Sequence, residues 1–406
     1  MSKKLLQINP VVRLNTSTGR IMKEIGELAQ SAGWESYVAY SGARDGMPPH
    51  TSQLVPVGDK LDLAVHAVAT RLFDAHGLAS KRGTRPFIER IRAIDPDVIH
   101  IHNIHGYFLN YPLLFDYLKE SGKPVVWTVH DCWLYTGHCY HYAYAGCNKW
   151  QTGCGHCPQK HAFPSSWLLD RSARNLRAKQ RAFASLDRLT IVPVSYWMRQ
   201  EMASSILADK QFQVIHNGID LSVFRPGTGK DDVPADRTLI LGVASIWLEE
   251  KGWSDLVKLA GLLGPGEKLV LVGRTTEAQR SRIPAGVELI ERTENIGKLA
   301  ELYGRATVLV NPTWQDNYPT VNLEAMACGT PVVTYRTGGS VESVAEGTGF
   351  VVEQGDVEAM LARVRMLASG DRAATAARCR EHALAHFRKE DCYQNYIRLY
   401  ENLTTR

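Results

Sequence analysis

The stretch "NPTWQDNYPTVNLEAMACGTPVV" (residues 311–333) decides the fold, because it combines a strand end, a loop, a short helix and a new strand. The run "TVLVNP" (307–312) is rich in β-branched residues, which favour strands. Pro319 suits the first helical position, and Gly329 suits the residue that follows a helix. A strand, a helix and a strand in this order predict a parallel βαβ unit.

The same alternation of short apolar runs and helical segments extends over the whole chain. The runs that favour strands are 4–8, 35–40, 98–102, 124–129, 189–195, 213–217, 239–245, 268–273, 287–290, 307–312, 330–335 and 349–353. Helices are predicted at 19–31, 61–78, 85–94, 111–120, 170–186, 252–263, 295–304, 319–327 and 356–369. Two such series, with a boundary near 196–212, predict an α/β protein of two doubly wound, Rossmann-like domains.

Composition is that of a globular protein in a reducing compartment. The chain has 406 residues, of which 44% are apolar and 22% charged, which is ordinary for two or three domains. Apolar runs fall short of the 18 or so residues that span a bilayer. The start, "MSKKLLQINPVVRL", is typical of a first strand and not of a signal peptide. We therefore expect a cytoplasmic protein whose cysteines stay thiols or bind metal.

Positive charge is concentrated in the first half of the chain. Residues 1–200 carry 24 Lys and Arg against 15 Asp and Glu, and the remainder carries 23 against 27. Much of the excess lies in 81–92 and 171–188. This pattern fits either solvated helix faces or a patch for anionic lipid headgroups at the inner membrane face. Nucleic-acid-binding motifs do not accompany the charge, so we expect no nucleic-acid partner.

Carboxylates flank the helix predicted at 319–327. Asp316 lies in the loop before the helix and Glu324 lies within it. A helix N-terminus presents unpaired backbone N–H groups and a partial positive charge, which suit the phosphates of a nucleotide. Carboxylates accept hydrogen bonds from sugar hydroxyls. A nucleotide-sugar site is therefore one hypothesis, and an N-capping Asp with a surface Glu is the alternative.

Further motifs follow other strand ends. "IHNGIDLSVFRPG" (215–227) contains an Asn-Gly turn, "GVASIWLEEKGWSDLVKLA" (242–260) places Lys251 between a strand and a helix, and "RTGGSVESVAEGTGFVV" (336–352) contains a Gly-Gly turn and Glu342. In order and spacing, these motifs and the acid-x7-Glu of 316–324 resemble the family-4 retaining glycosyltransferases, of the type found in bacterial exopolysaccharide and capsule biosynthesis. The resemblance covers essentially the whole chain and is most specific in 213–356.

The resemblance implies a GT-B fold, in which two Rossmann-like domains face each other across a cleft. An acceptor-side domain would comprise 1–205, completed by a C-terminal helix at 386–406, and a donor-binding domain would comprise 206–385. The implied activity is retaining transfer of a hexose-type sugar, independent of a catalytic metal, from a UDP- or GDP-sugar to a glycan or lipid-linked acceptor. A nucleotide-sugar epimerase of the same fold is the alternative.

The resemblance also assigns roles to individual residues. Catalytic roles fall to His130, Asp316 and Lys251, which would contact the donor sugar and the leaving diphosphate. Donor-binding roles fall to Gly19, in "NTSTGR" (15–20), and to Asn317, Tyr318, Pro319, Thr320 and Glu324. Arg274 is a further donor-binding candidate, on account of a departure from the family pattern.

Two positions depart from the family pattern. Asp316 stands where the family usually has Glu, and Ile246 stands where it has an Arg five residues before the Lys. Either Lys251 acts alone on the diphosphate, or Arg274, at the end of the next strand, replaces the missing cation.

A loop predicted at 131–165 contains a dense group of cysteines, "HDCWLYTGHCYHYAYAGCNKWQTGCGHCP" (130–158). Its "CGHC" lacks the preceding strand of a redox motif. Three hypotheses remain for the thiols, namely a redox pair, packed thiols, and structural zinc bound by Cys139, Cys147, Cys154 and Cys157, with a histidine (138, 141 or 156) able to replace one ligand. The rings of the loop are predicted to stack on an acceptor glycan: Trp133, Tyr135, Tyr140, Tyr142, Tyr144 and Trp150.

Overall fold

The chain divides into two compact units, Met1–Ile215 with Tyr393–Arg406, and His216–Cys392. The structure is a computed structural model, and it describes residues 2–13, 16–43, 50–227 and 237–405. Within those residues each unit contains one sheet, and all the strand pairs are parallel. Two doubly wound α/β domains are therefore confirmed.

Unit 1 has a sheet of seven strands among its described residues, in the order β3-β2-β1-β4-β5-β6-β7. The strands are β1 Lys4–Ile8, β2 Glu35–Ser41, β3 Gln53–Val57, β4 Val98–Ile101, β5 Val125–Val129, β6 Leu189–Pro193 and β7 Gln211–Phe212. The helices are α1 Ser17–Ser31, α2 Lys60–Phe73, α3 Lys81–Ile94, α4 Tyr111–Ser121, α5 Lys149–Thr152, α6 Ser172–Ala184 and α7 Tyr196–Met202. The strand order reverses between β1 and β4, and in such sheets ligands bind beyond the strand ends at that point.

Unit 2 has a six-stranded sheet among its described residues, in the order β10-β9-β8-β11-β12-β13. The strands are β8 Thr238–Ile246, β9 Glu267–Arg274, β10 Glu288–Ile290, β11 Val308–Asn311, β12 Val332–Tyr335 and β13 Gly349–Val352. The helices are α8 Trp253–Gly261, α9 Glu277–Arg280, α10 Ile296–Arg305, α11 Thr320–Ala327, α12 Val357–Ser369 and α13 Arg372–His386. Here the order reverses between β8 and β11.

The last helix, α14 Lys389–Thr404, begins in unit 2 and ends in unit 1. Within unit 1 it contributes three buried tyrosines, Tyr393, Tyr396 and Tyr400. The Thr128 hydroxyl donates to Tyr396 Oη at 2.9 Å, and the Tyr400 hydroxyl lies 2.6 Å from His100 Nδ1. The end of the chain is therefore part of the polar interior of unit 1.

Two local predictions about strands are wrong. β3 was not expected, because Pro56 interrupts its pattern, and Pro is tolerated in such an edge strand. The strand predicted at 213–217 is absent, since β7 ends at Phe212. The N–H groups of Gln213 and Ile215 still donate to carbonyls of β6, so this segment runs beside the sheet without regular pairing.

Candidate active site

The donor-side candidates of unit 2 lie after the strands at which the sheet order reverses. β8 ends at Ile246 and leads to a 3-10 turn, Glu249–Lys251, while β11 ends at Asn311 and leads through a loop to α11. Gly252 joins the 3-10 turn to α8 with φ +80°. A Cβ at Gly252 would lie 2.1 Å from the Pro312 carbonyl oxygen, so only glycine lets the two segments approach this closely.

Lys251 and Asp316 form an ion pair between these two segments. Lys251 Nζ donates to Asp316 Oδ2 at 2.7 Å and lies 3.4 Å from the Gln315 carbonyl oxygen. The Asp316 backbone carbonyl in turn accepts from the Gly339 N–H at 3.3 Å. The side chains are about one-third and one-fifth exposed, so both groups are accessible to a ligand. The structure thus brings together the predicted cation and the predicted carboxylate.

Helix α11 holds Glu324 and a hydrogen-bond network against the sheet. Pro319 is its N-cap, one position earlier than expected, and Thr320 is its first residue. Glu324 is only 4% exposed, and its Oε2 accepts from the Tyr303 hydroxyl at 2.9 Å. Asn322 is fully buried, accepting from Asn311 and donating to two serine hydroxyls. A buried carboxylate needs hydrogen-bond donors, so the Glu324 side chain is held in place by the partners that surround it.

Tyr318 belongs to a second group of side chains before α11. Its ring stacks on His216 with the ring centroids 4.7 Å apart, and His216 Nε2 lies 3.2 Å from Glu342 Oε2. Burial raises the pKa of Tyr318 well above its ordinary value, so its hydroxyl stays protonated. Asn317 beside it is also buried. The segment 317–320, which leads into α11, is thus held in place by these contacts.

Arg274 is the last residue of β9 and pairs with Ile246 of β8, after an irregularity in the ladder between Val243 and Ile246. Its side chain is exposed. Position 246 therefore lacks the cation of the family pattern, and Arg274 occupies the paired position on the adjacent strand.

In unit 1, His130 follows β5 and contacts a second histidine. His130 Nε2 lies 3.1 Å from His102 Nδ1, and the two rings are stacked. His102 Nε2 lies 3.0 Å from Gln7 Oε1 in β1. Burial lowers the pKa of His130 to about 4, so the ring is neutral near pH 7. His130 is therefore held by residues from the ends of the central strands.

Gly19 lies within α1, where the backbone around it is tightly packed. Its N–H donates to the Thr16 hydroxyl, and an added Cβ would lie 2.2 Å from the Arg13 carbonyl oxygen. Packing within its own turn is thus one reason for a glycine at this position. Asn15, which begins the predicted motif, lies outside the described residues.

The rings of the cysteine-rich segment are largely core residues, contrary to the stacking prediction. Exposure is at most 4% for Trp133, Tyr135, Tyr142 and Trp150, and the last three contact one another. Tyr144 is 48% exposed and Tyr140 is partly exposed. The prediction fails for four of the six rings, because three of them pack on one another and Trp133 packs against Tyr111 and His76.

The four predicted thiol ligands line one cavity, together with His138. Cys139, Cys147, Cys154 and Cys157 are all free thiols. In the described part of the chain, no three His, Cys, Asp or Glu side chains already have an arrangement that could hold a metal ion.

Three polar residues of these sites were not predicted individually. His102, Asn322 and His216 hold His130, the α11 network and Tyr318 in place. Their partners lie 11 to 126 residues away along the chain, as with His216 and Glu342. In the sequence, the one feature that pointed to these three residues as site residues was their position near the end of a strand.

The two parallel-sheet units, each with polar side chains beyond the ends of its central strands, define a two-domain α/β protein. The model of Glycosyltransferase Family 4 matches residues 18–223, just over half of the chain, and that of Glycosyl transferases group 1 matches 237–369. The chain belongs to glycosyltransferase family 4 and is a glycosyltransferase.

Individual relatives agree with this assignment. The chain is 25% identical over 330 residues to WcaC of Escherichia coli (strain K12), provisionally named a colanic acid biosynthesis glycosyl transferase, covering 77% of this chain and 78% of WcaC. Sucrose-phosphate synthase (tll1590) from Thermosynechococcus elongatus is similar in structure, with a TM-score of 0.70, 19% identity and 99% of each chain covered. Anabaena Alr3699/HepE in complex with UDP-glucose has a TM-score of 0.66 at 14% identity, with 98% of this chain and 99% of that chain covered. These two structures establish the GT-B fold.

Across the described residues, we find no helix with the length and apolar character needed to cross a membrane.

Proposed function

We propose that the protein is a retaining hexosyltransferase, which moves a sugar from a UDP- or GDP-sugar to a hydroxyl of a glycan or lipid-linked saccharide in cell-surface polysaccharide synthesis. The observation that carries this proposal is the Lys251–Asp316 pair, which lies beside the N-terminus of α11. It combines a cation for the diphosphate, helix N–H groups for phosphate oxygens and a carboxylate for sugar hydroxyls. Similarity to WcaC supports the polysaccharide role.

In the proposed reaction, the bond between the anomeric carbon and the diphosphate oxygen breaks. Lys251 and the backbone N–H groups near 318–320 stabilise the negative charge that develops on the leaving diphosphate. The acceptor hydroxyl attacks the oxocarbenium-like carbon on the same face, and its proton passes to the leaving phosphate. The new bond keeps the anomeric configuration of the donor, and Lys251 supplies the charge that a divalent metal supplies in other enzymes.

Asp316 and His130 are the proposed contacts to the donor sugar. When the diphosphate binds, Lys251 shifts from Asp316 toward the phosphates, and the carboxylate becomes available to sugar hydroxyls. His130 acts as a neutral ring, because burial lowers its pKa to about 4. Glu324 is the proposed acceptor for the ribose hydroxyls. Arg274 is proposed as the second cation, since it lies across from Ile246.

A transfer assay with labelled donors tests the proposal. UDP-glucose is the first donor to try, because HepE was solved with it; UDP-galactose and GDP-mannose follow. We expect turnover to need an acceptor, to withstand brief treatment with EDTA without added Mg²⁺ or Mn²⁺, and to give a product whose NMR coupling matches the donor's anomer. Conversion of the sugar without acceptor would establish the epimerase alternative instead.

Donor binding tests the proposed site itself. By calorimetry, Glu324→Gln is expected to abolish detectable nucleotide-sugar binding, whereas the matched change Glu346→Gln, at an exposed carboxylate of the same unit, leaves affinity unchanged. Unchanged affinity in Glu324→Gln, with the native unfolding curve retained, would remove Glu324 from the site.

An exposed apolar surface on unit 1 supports peripheral contact with a membrane. Leu61, Val65 and Val68 lie on one side of α2 and are 61%, 53% and 52% exposed. Trp167 and Leu168 are 57% and 64% exposed. Large apolar surfaces of this kind mark interaction sites in soluble proteins. We call these five residues the α2 face.

Basic side chains accompany the α2 face. The Arg71 guanidinium lies 5.6 Å from the centroid of the Trp167 ring, and the Trp167 N–H donates to the Arg71 carbonyl at 2.6 Å. Lys160 Nζ lies 3.5 Å from the Leu168 carbonyl oxygen, and Lys60 begins α2. Apolar side chains bordered by cations fit an anionic lipid bilayer, which we propose as the partner.

Vesicle sedimentation tests the α2 face. The wild-type chain is expected to sediment with phosphatidylglycerol vesicles and much less with phosphatidylcholine vesicles. Val65→Asp should abolish sedimentation, whereas Met366→Asp, at a residue of unit 2 that is 55% exposed, should not. The proposal would be overturned if Val65→Asp sedimented with the vesicles as well as the wild-type chain does. It would also be overturned if the wild-type chain did not bind vesicles and Val65→Asp instead abolished self-association of the chain.

A further inference from the structure

The cysteine-rich segment surrounds a space of atomic size. The cavity lined by Cys139, Cys147, Cys154, Cys157 and His138 has a volume of about 10 Å³, room for one water-sized sphere. The four thiols lie within 19 residues of sequence and come together from three separate stretches. Simple packing would fill such a space with carbon atoms, as the rings beside it do.

A backbone N–H group points at one of the sulfurs. The Gly137 N–H donates to Cys154 Sγ at 3.3 Å. A thiol is a weak acceptor, and bonds to a charged acceptor are roughly twice as strong. Gly155 has φ +151°, which permits the tight turn between the two cysteines. The turn therefore places both sulfurs at one cavity, and the hydrogen bond to Cys154 Sγ becomes stronger when that sulfur is a thiolate.

A buried lysine lies beside the thiols. Lys179 of α6 is 1% exposed, and its Nζ donates to the carbonyls of Trp133 and Thr136 and lies 3.5 Å from the centroid of the Trp133 ring. In the described residues we find no carboxylate within ion-pair distance of this ammonium. Cys139 and Cys154 interact electrostatically with it, as do the carboxylates of Asp131 and Asp74. A buried ammonium is stabilised by nearby negative groups, and thiolates at this cavity would supply further negative charge.

We propose that Cys139, Cys147, Cys154 and Cys157 bind one structural Zn²⁺ ion as thiolates. Four thiolates around Zn²⁺ carry a net charge of −2, which the ammonium of Lys179 partly balances. Binding releases the thiol protons and involves no oxidation. The side chains turn toward the cavity when the metal binds, and each has a single side-chain torsion to adjust. The ion fixes the segment that follows His130.

His138 is the alternative fourth ligand. Its Nδ1 lies 2.6 Å from Asp74 Oδ1, and its buried Nε2 has no hydrogen-bond partner in the described residues. A carboxylate that holds the far nitrogen is typical of metal-binding histidines. The charge of Lys179 favours the four-thiolate set, and the experiment distinguishes the two.

Metal analysis of the full-length protein, purified without chelator, tests the site. We expect about one zinc per chain, lost in Cys154→Ser and Cys157→Ser and retained in Cys328→Ser, a buried thiol of unit 2. Less than about half an equivalent in the wild-type protein would overturn the proposal. So would a Cys154–Cys157 disulfide found by differential alkylation of the purified protein.

Cobalt exchange keeps the proposal testable if the serine variants fail to fold. In the wild-type protein, Co²⁺ is expected to give thiolate-to-metal absorption and the visible bands of a tetrahedral four-sulfur site. His138→Ala should keep this spectrum and Cys147→Ser should lose it. The reverse result would replace Cys147 by His138 and refute the four-thiolate set.

Discussion

Lys251→Met separates a catalytic role for this lysine from a structural one. Methionine keeps much of the length of the side chain and removes its charge and its hydrogen bonds to Asp316 and Gln315. Because the pair is partly exposed, its loss is expected to lower the free energy of unfolding by less than about 1 kcal/mol. Removing one preorganised donor from a developing anion costs about 10²–10³ in kcat, or about 2.7–4 kcal/mol. Activity should therefore fall far more than stability.

The assay measures initial rates against donor concentration at fixed acceptor, with urea unfolding in parallel. Lys258→Met is the matched control, since Lys258 forms an ion pair with Glu358 at 3.0 Å on the same unit and is more exposed. The control should keep full kcat. The proposed role requires kcat to fall, because the interaction strengthens as the diphosphate departs.

Two results would refute this reasoning. An unchanged kcat with a raised KM for the donor would mean that Lys251 binds ground state and transition state equally. A fall of more than about 2 kcal/mol in the free energy of unfolding would mean that the ion pair is chiefly structural, whatever happens to the rate.

Three further predictions concern stability. Because burial lowers the pKa of His130 from 6.5 to about 4, the unfolded chain binds this proton first, and the urea midpoint should fall as pH falls from about 6.5 to 4; a midpoint independent of pH there would contradict it. Tyr400→Phe leaves buried His100 Nδ1 without its bond and should cost about 1–3 kcal/mol by urea unfolding; a cost below about 0.5 kcal/mol would refute it. Gly252→Ala should lower Tm and donor affinity together, whereas Gly261→Ala, where a Cβ meets no neighbour, should lower neither; a Gly252 variant with native Tm would contradict the close-contact argument.

The fold was largely predictable because its signal is local. Parallel strands buried on both faces are continuous β-branched runs, such as "VVWTV" of β5 and "VLVN" of β11, and the helices between them are periodic. The failures lie where that signal weakens. β3 contains Pro56, and the segment after β7 pairs with β6 through only some of its N–H groups.

The grouping of the donor-side candidate residues was predictable for a related reason. Asp316 lies in the loop before α11 and Glu324 lies within α11. Both residues therefore belong to one short stretch, and their spacing can be recognised in the sequence. His130 contacts His102, which lies 28 positions earlier in the chain. A contact at this separation cannot be predicted from the spacing of residues in the sequence. The rings of 133–150 could not be assigned to surface or interior, because the segment lacks the periodicity that separates the two faces of a helix or strand.

Arg274 is our proposed replacement for the arginine that is missing at position 246. Ile246 and Arg274 end adjacent parallel strands and pair with each other after an irregularity in the ladder, so their backbones lie about 4.8 Å apart. An arginine side chain is longer than that separation, and its guanidinium binds phosphate with two parallel hydrogen bonds. A cation supplied from β9 therefore has the reach of one supplied from β8, although the two positions are 28 residues apart in sequence. The requirement is for positive charge at one edge of the sheet, and neighbouring strands are physically equivalent sources of it.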